Sequence, residues 1–107
     1  MHELPQNPTL SDYQQLIGIM CKQHGWDKNT TSDVFLLLTE EVGEVAKEIR
    51  RLSNFKGQNK TGDVEALSHE LADVLNYLFE IANRFDIDLE AAYRAKHKIN
   101  SNRTWVD

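Results

Sequence analysis

The sequence predicts an all-α fold of four helices, and three observations support this prediction. Apolar residues recur at helical spacing in four successive segments, each segment follows a residue type that caps helices, and no segment alternates like a strand. The chain has 107 residues, of which 40% are hydrophobic, so we expect a single domain over residues 1–107 with a modest core. A domain of this size buries only ~60–65% of its surface, and we expect oligomerisation to complete the bundle.

The first predicted helix follows a proline-containing leader and ends at Gly25. Thr9 or Ser11 can cap its start. Cys21 is the only cysteine, so no disulfide framework is expected, and its position indicates a small core residue. The apolar positions of this helix are Leu10, Tyr13, Leu16, Ile17, Met20 and Cys21.

A polar turn leads to the second helix, for which Thr31 or Ser32 is the expected cap. Projected at about 100° per residue, its apolar face comprises Val34, Leu37, Leu38, Val45, Ile49 and Leu52. Glu41 falls within this face and Glu44 on its edge, while Lys47 and its basic neighbours occupy the opposite side. The two acids therefore lie where burial is expected, and not on the solvated face.

A polar loop with two glycines, 53–62, is predicted to be exposed and to precede a third helix that Asp63 can cap. The apolar face of this helix comprises Leu67, Leu71, Val74, Leu78, Ile81 and Phe85. Glu70 and Asp73 lie along one border of that face, and Tyr77 lies one turn beyond them. The acids of the third helix can thus meet those of the second helix where the two helices pack together.

The pairs Glu41–Glu44 and Glu70–Asp73 each have i,i+3 spacing within an apolar helix. Crowded, half-buried carboxylates repel one another and lose hydration, and a divalent cation relieves both costs. Oxygen donors without cysteine or suitably spaced histidine favour Mg²⁺, with Mn²⁺ also possible, over Zn²⁺. The alternative is that Glu44 pairs with Lys47 and that the acids are ordinary surface residues, although neither Glu41 nor Glu44 has a cation four residues later.

The last predicted helix begins after its cap, Asp88, and carries basic residues near its end. Lys96, Asn100 and Arg103 lie within about 60° of one another in projection, so they can present two cations and an amide to phosphate groups. Lys98 projects roughly opposite and is expected to face solvent. The alternative role of the basic residues is to complement the helix dipole.

The string E-E-V-G-E at 40–44, a 25-residue interval and E-L-A-D at 70–73 resemble the signature of the MazG-type all-α nucleoside triphosphate pyrophosphohydrolases. The resemblance covers about residues 33–105, and the spacing of Lys96 and Asn100 resembles the family's C-terminal pattern. It implies a four-helix MazG-like bundle, at least dimeric, that cleaves an NTP or dNTP between the α and β phosphates with Mg²⁺, an activity suited to house-cleaning of nucleotide pools. The metal ligands implied are Glu41, Glu44, Glu70 and Asp73.

In the mechanism that this resemblance implies, Glu41 or the adjacent Glu40 accepts the proton of the attacking water, and the sequence leaves both open. Lys96 and Arg103 would hold phosphate oxygens, and Asn100 the sugar or a phosphate.

Aromatic residues offer further candidates for substrate contact. Tyr77 can stack on or hydrogen-bond a nucleoside, or it can simply pack in the bundle. Trp26 can form a base-stacking wall, or it can anchor its loop against the end of the bundle. Asn76 projects away from Glu70 and is not expected in the site, and His69 is expected on the surface.

Charge and hydropathy exclude several classes of partner. A net charge of -5 argues against a nucleic-acid polymer, and no apolar run approaches the ~20 residues needed to span a membrane. We therefore expect a cytoplasmic protein that binds a nucleoside triphosphate and forms a homodimer or homotetramer, with Phe35 and Leu36 as interface candidates.

Two other classes are weighed against the hydrolase. A di-iron bundle requires Glu-x-x-His motifs, whereas the residues three after Glu41 and Glu70 are Glu44 and Asp73. A non-catalytic metal-binding dimerisation module remains the alternative, although such a module would not need four acids kept off the solvated face.

Overall fold

The computed structural model describes residues 3–53, 55–57 and 60–103, and within these ranges it contains four α-helices and no strand. The helices are α1 (Leu10–His24), α2 (Thr31–Leu52), α3 (Val64–Arg84) and α4 (Leu89–Ser101). Single turns of 3₁₀-helix lie at Trp26–Lys28 and Phe55–Gly57. The all-α prediction is confirmed. None of the helices in these ranges has the length and apolar character that crossing a membrane requires.

Most of the predicted helix ends are confirmed. Thr9 caps α1 in a reciprocal capping box with Asp12, and Gly25 ends α1 in the left-handed conformation with φ 73°. Asp63 caps α3 and Asp88 caps α4, each by accepting a backbone N–H three residues later.

The predicted cap of α2 is wrong by one residue. Thr30 is extended, and its hydroxyl accepts a hydrogen bond from the backbone N–H of Asp33 at 3.1 Å. Thr31 and Ser32 therefore lie inside the first turn. Three successive hydroxyl residues offer equivalent caps, and their order alone does not identify the one that is extended.

Asn54, Gln58 and Asn59 of the predicted loop lie outside the described residues.

Helix α3 is the centre of the fold, because α2 packs along it, α1 packs against it and α4 packs on α1. Phe79 and Val34 are fully buried, and Tyr13 stacks on Phe79 with ring centroids 6.4 Å apart. Cys21 is buried beside them, which confirms its predicted place in the core, and burial is the main cause that raises the pKa of its thiol to about 11. The core is small for four helices.

The predicted apolar face of α3 is only partly correct. Leu71, Leu78 and Phe85 belong to that face but are exposed, whereas the residues that α3 buries among its neighbours include Phe79 and Ala82. Part of the predicted apolar face of α3 is therefore left uncovered by α1 and α2. A hydrophobic pattern identifies apolar faces but not which of them has a partner within the chain.

A buried amide joins three helices. Gln14 of α1 donates from Nε2 to Asn83 Oδ1 at 2.9 Å and to the carbonyl of Ile87 at 2.6 Å. Its Oε1 accepts the backbone N–H of Leu89 at 3.0 Å, and Asn83 Nδ2 donates back to the Gln14 carbonyl. Gly18 permits this approach, since a Cβ there would lie 3.2 Å from Asn83 Nδ2. These bonds attach the start of α4 to α1 and α3.

Replacing Gln14 should therefore destabilise the fold. Gln14→Leu keeps an extended side chain but leaves partly buried polar groups of Asn83, Ile87 and Leu89 without the partner that Gln14 provides, so we expect a loss of roughly 2–4 kcal/mol. Urea unfolding followed by circular dichroism measures this loss. Gln15→Leu, at the neighbouring exposed position, is the control, and equal effects of the two variants would contradict the role of Gln14.

Candidate metal and nucleotide site

Helices α2 and α3 bring together three of the four acids predicted to bind a metal. One carboxylate oxygen from each of Glu41, Glu70 and Asp73 lies within 4.8 Å of the other two, as an ion shared by all three requires. Glu70 and Asp73 share a face of α3 because they are three residues apart. Glu41 meets them from α2, and both it and Glu70 are half-buried. We call these three residues the acid cluster.

The crowding of the acid cluster changes the protonation of Glu41. Its pKa is raised to about 7, first because a proton on it would be shared with Glu70, then by burial and by the charges of Glu70, Asp73 and Glu44. Its Oε2 is buried and has no hydrogen-bond partner within the described residues. Three converging oxygen donors, one of them without a partner, fit a hard divalent cation.

Glu44, the fourth acid, lies outside the 4.8 Å group. Its Oε2 lies 3.8 Å from Lys47 Nζ, the pairing that the sequence left open as the alternative. Glu44 is nevertheless close enough to contribute to the raised pKa of Glu41. Its role as a metal ligand stays a prediction.

A cavity of about 430 Å³ opens beside the acid cluster, between α1, α2 and α3. Its wall includes Glu41 and Asp73 together with the aromatic side chains of Trp26 and Tyr77. The volume falls within the ~300–1,000 Å³ typical of small-molecule sites. A nucleoside in this cavity would thus lie next to the acids. The predicted contact of Trp26 and Tyr77 with a nucleoside stays a prediction.

Tyr77 keeps its proton in this setting. Its pKa is raised by burial and by the nearby charges of Glu41, Glu80, Asp73 and Glu40. The hydroxyl can therefore donate a hydrogen bond at neutral pH. Of the two candidate proton acceptors, Glu41 lines the cavity, whereas Glu40 is exposed and does not.

Sequence reasoning missed three polar residues of the wall, Asn29, Asn76 and Glu80. Asn76 projects away from Glu70, but the cavity is bounded by α1 as well as α2 and so extends past the acidic border of α3. Glu80 is buried, although it is an acid. The signal available in the sequence was the pair of polar residues, Asn76 and Glu80, four apart in an otherwise apolar segment.

The predicted phosphate contacts lie on α4 and just after it. Lys96 is exposed and Asn100 is half-buried on α4, which packs on α1, and Arg103 follows the end of that helix. None of the three lines the cavity beside the acid cluster. Their role toward phosphate stays a prediction.

Known proteins match most of the chain. Residues 29–106 match the family profile of the MazG nucleotide pyrophosphohydrolase domain. The chain is 33% identical over 104 residues to dCTP pyrophosphatase 1 of Homo sapiens, and the alignment covers 90% of this chain and 59% of that protein. The corresponding protein of Mus musculus is 32% identical with the same coverage.

A bacterial relative is more similar over a shorter alignment. The uncharacterized protein YpjD of Bacillus subtilis (strain 168) is 42% identical over 65 residues, which cover 60% of this chain and 59% of that protein. The chain thus spans 59% of the length of each of these relatives.

The raised pKa of Glu41 predicts a pH dependence of stability. The pKa of Glu41 is about 7 in the folded chain, against an ordinary value of 4.5 for the unfolded chain. The folded chain therefore binds the Glu41 proton more tightly, and the contribution of Glu41 to stability falls as the pH rises from about 4.5 to about 7. In chelator, Glu41→Gln should therefore raise the melting temperature relative to wild type more at pH 8 than at pH 5. Thermal unfolding at both pH values measures this difference.

The control for this experiment is Glu3→Gln, which removes an exposed carboxylate before α1. Its effect on the melting temperature should be the same at both pH values. A Glu41→Gln effect that is likewise independent of pH would show that Glu41 does not hold a proton in the folded chain.

Proposed function

Because the chain belongs to the MazG nucleotide pyrophosphohydrolase domain family, we propose that it hydrolyses a nucleoside triphosphate between the α and β phosphates, giving a monophosphate and pyrophosphate. The observation that carries this proposal is the acid cluster beside a cavity that can hold a nucleoside, with Glu41 and Asp73 in the cavity wall. Acid clusters occur in many kinds of metal site, so the cluster alone does not indicate a nucleotide. The aromatic side chains in the adjoining cavity wall favour a nucleotide as the ligand. Such an enzyme would remove unwanted nucleotides from the cytoplasmic pool.

Glu41, Glu70 and Asp73, with Glu44 nearby, would hold Mg²⁺ or Mn²⁺, which supplies positive charge to offset the triphosphate and to orient it. Glu41 would no longer retain a proton while it ligates a cation. The adjacent and exposed Glu40 is therefore the more suitable acceptor for the proton of the attacking water.

The substrate class that we propose is a deoxynucleoside triphosphate. The human and mouse relatives are named for dCTP, so dCTP is the first candidate. Trp26 and Tyr77 would contact the nucleoside. Lys96 and Arg103 would bind phosphate oxygens and Asn100 the sugar or a phosphate, in which case the substrate would have to extend beyond the cavity to meet α4.

The chain exposes more surface than a compact monomer of its size, which supports assembly. Its accessible surface is 8409 Å², against about 6,100 Å² expected for 12.3 kDa. The radius of gyration is 16.9 Å, against about 13 Å expected. Phe35 and Leu36, predicted interface residues, are 59% and 64% exposed and border a groove with Ile81 and Phe85. We propose a homodimer or homotetramer that covers this groove.

The activity has a direct test. With Mg²⁺ or Mn²⁺, the purified protein should release pyrophosphate from at least one dNTP, as resolved by ion-exchange chromatography of the products. Glu41→Gln and Asp73→Asn should each lower turnover at least about a hundredfold, because they remove a charged metal ligand, while far-ultraviolet circular dichroism shows the helices intact.

The control is Glu48→Gln, which removes an acid on α2 that pairs with Arg51 at 3.3 Å and stands apart from the acid cluster. Its effect on turnover should be much smaller. Orthophosphate as the sole initial product, or full activity in excess chelator, would rule out the proposed reaction. Metal binding without turnover of any nucleotide would instead favour the dimerisation module.

Assembly is tested by sedimentation velocity at micromolar concentration. The wild type should sediment as a dimer or larger, and Phe35→Ser combined with Leu36→Ser should shift it toward monomer, because apolar area buried at the groove would be lost. Tyr93→Ser on α4, at a residue that is also exposed, is the control. A stable wild-type monomer would refute the proposed assembly.

A further inference from the structure

Arg84, the last residue of α3, reaches out of its own helix. Its Nη1 donates to the carbonyl of Asn29 at 2.6 Å, and its Nη2 donates to the carbonyl of Trp26 at 3.2 Å. Nη2 also lies 3.4 Å from Oε1 of Glu80, one turn earlier on α3. Both carbonyls belong to the short connection between α1 and α2. We call residues 26–29 the wall loop, because Trp26 and Asn29 line the cavity beside the acid cluster.

The bonds from Arg84 are what tie the wall loop to α3. The other hydrogen bonds of this connection, within the described part of the chain, join residues close in sequence, such as Lys28 to Gly25 and Asn29 to Trp26. Trp26 is 46% exposed, and its indole stacks on the ring of His24, a residue that is exposed as well. Packing alone therefore restrains the indole weakly.

The chemistry of arginine fits this task. The guanidinium can donate to two carbonyls and a carboxylate at once because its donors form a planar fork, whereas a lysine ammonium is a point charge on a flexible stem. The side chain of Arg84 is only 16% exposed, and its Nε is buried without a partner among the described residues. Such burial is costly to the fold. The buried Glu80 offsets the charge, and the bonds made in return fix the position of the wall loop.

We propose that Arg84 is a positioning residue that holds Trp26 and Asn29 as a rigid wall for the nucleobase, a role that rests on the proposed function. Arg84 does not line the cavity that contains Glu41 and Asp73. Its replacement should therefore weaken capture of the nucleoside and leave the hydrolysis step largely unchanged. A preorganised aromatic surface binds a base at lower entropic cost than one that must be ordered on binding.

The first experiment needs no substrate. In a Trp105→Phe background Trp26 is the only tryptophan, since the chain has two. Time-resolved fluorescence anisotropy should show larger-amplitude motion of the indole in Arg84→Lys than in the parent. Arg51→Lys is the matched control, because Arg51 also pairs with a glutamate of its own helix, Glu48 at 3.3 Å, and the indole motion should not change. Equal indole motion in Arg84→Lys and the parent would overturn the proposal.

The second experiment uses a dNTP that the wild type hydrolyses. Arg84→Lys should raise KM about tenfold, the size of one charge-assisted contact, with kcat changed by less than about threefold. With deoxyribose 5′-triphosphate, which has no base, the rise in KM should disappear. In a Trp26→Ala background the substitution should add little, because the two changes act through the same contact.

A fall in kcat shared by the dNTP and the base-free analogue would overturn the positioning role. Arg84→Gln, which keeps a shorter donor, is the second variant if the lysine variant is poorly folded by circular dichroism. The experiments distinguish failure of the proposed function from failure of the positioning role of Arg84. Absence of wild-type turnover would refute the proposed function and the nucleobase role with it, whereas the anisotropy result decides whether Arg84 restrains Trp26.

Discussion

The packing of α2 against α3 brings the carboxyl groups of Glu41, Glu70 and Asp73 within 4.8 Å of one another, where three uncompensated charges repel. Two unit charges about 5 Å apart repel by roughly 3 kcal/mol at an effective dielectric of about 20. That is a large part of the 5–15 kcal/mol typical of a whole domain. In the metal-free chain, the raised pKa of Glu41 favours a bound proton that reduces this repulsion. A divalent cation, which the three oxygen donors fit, would reduce the repulsion as well.

The rest of the cavity wall depends on how the other elements are attached to this helix pair. Gln14 and Asn83 fix α1 and the start of α4 against α3, and Arg84 fixes the wall loop against the end of α3. Both attachments use buried polar groups, where the small core provides little apolar contact. The positions of the acids thus follow from the packing of two helices, whereas the positions of the surrounding wall residues depend on a few hydrogen bonds.

What the sequence predicted correctly depends on neighbours along the chain. The caps Thr9, Asp63 and Asp88 act within three residues of themselves, and the acids share helix faces because of i,i+3 spacing. The predicted apolar face of α3 includes the exposed residues Leu71, Leu78 and Phe85, because a pattern does not show which apolar positions find a partner.

The polar residues that shape the walls were missed for a related reason. Gln14 bonds to Asn83, 69 residues away, and Arg84 bonds to the carbonyl of Asn29, 55 residues away. Nothing in the local sequence distinguishes such residues from an exposed glutamine or a dipole-complementing arginine. The carbonyl groups that accept such long-range hydrogen bonds can be identified only from the packed structure.

The most direct test of the account is the number of protons released when the acid cluster binds a divalent cation. Calorimetric titration of the metal-free protein with Mn²⁺, in buffers of different ionisation enthalpy, measures this number. With the Glu41 pKa at about 7, close to one proton should be released per ion at pH 6 and almost none at pH 8.5. Binding that releases no proton at pH 6, or no binding at all, would contradict the claim that a cation replaces the proton shared by Glu41 and Glu70.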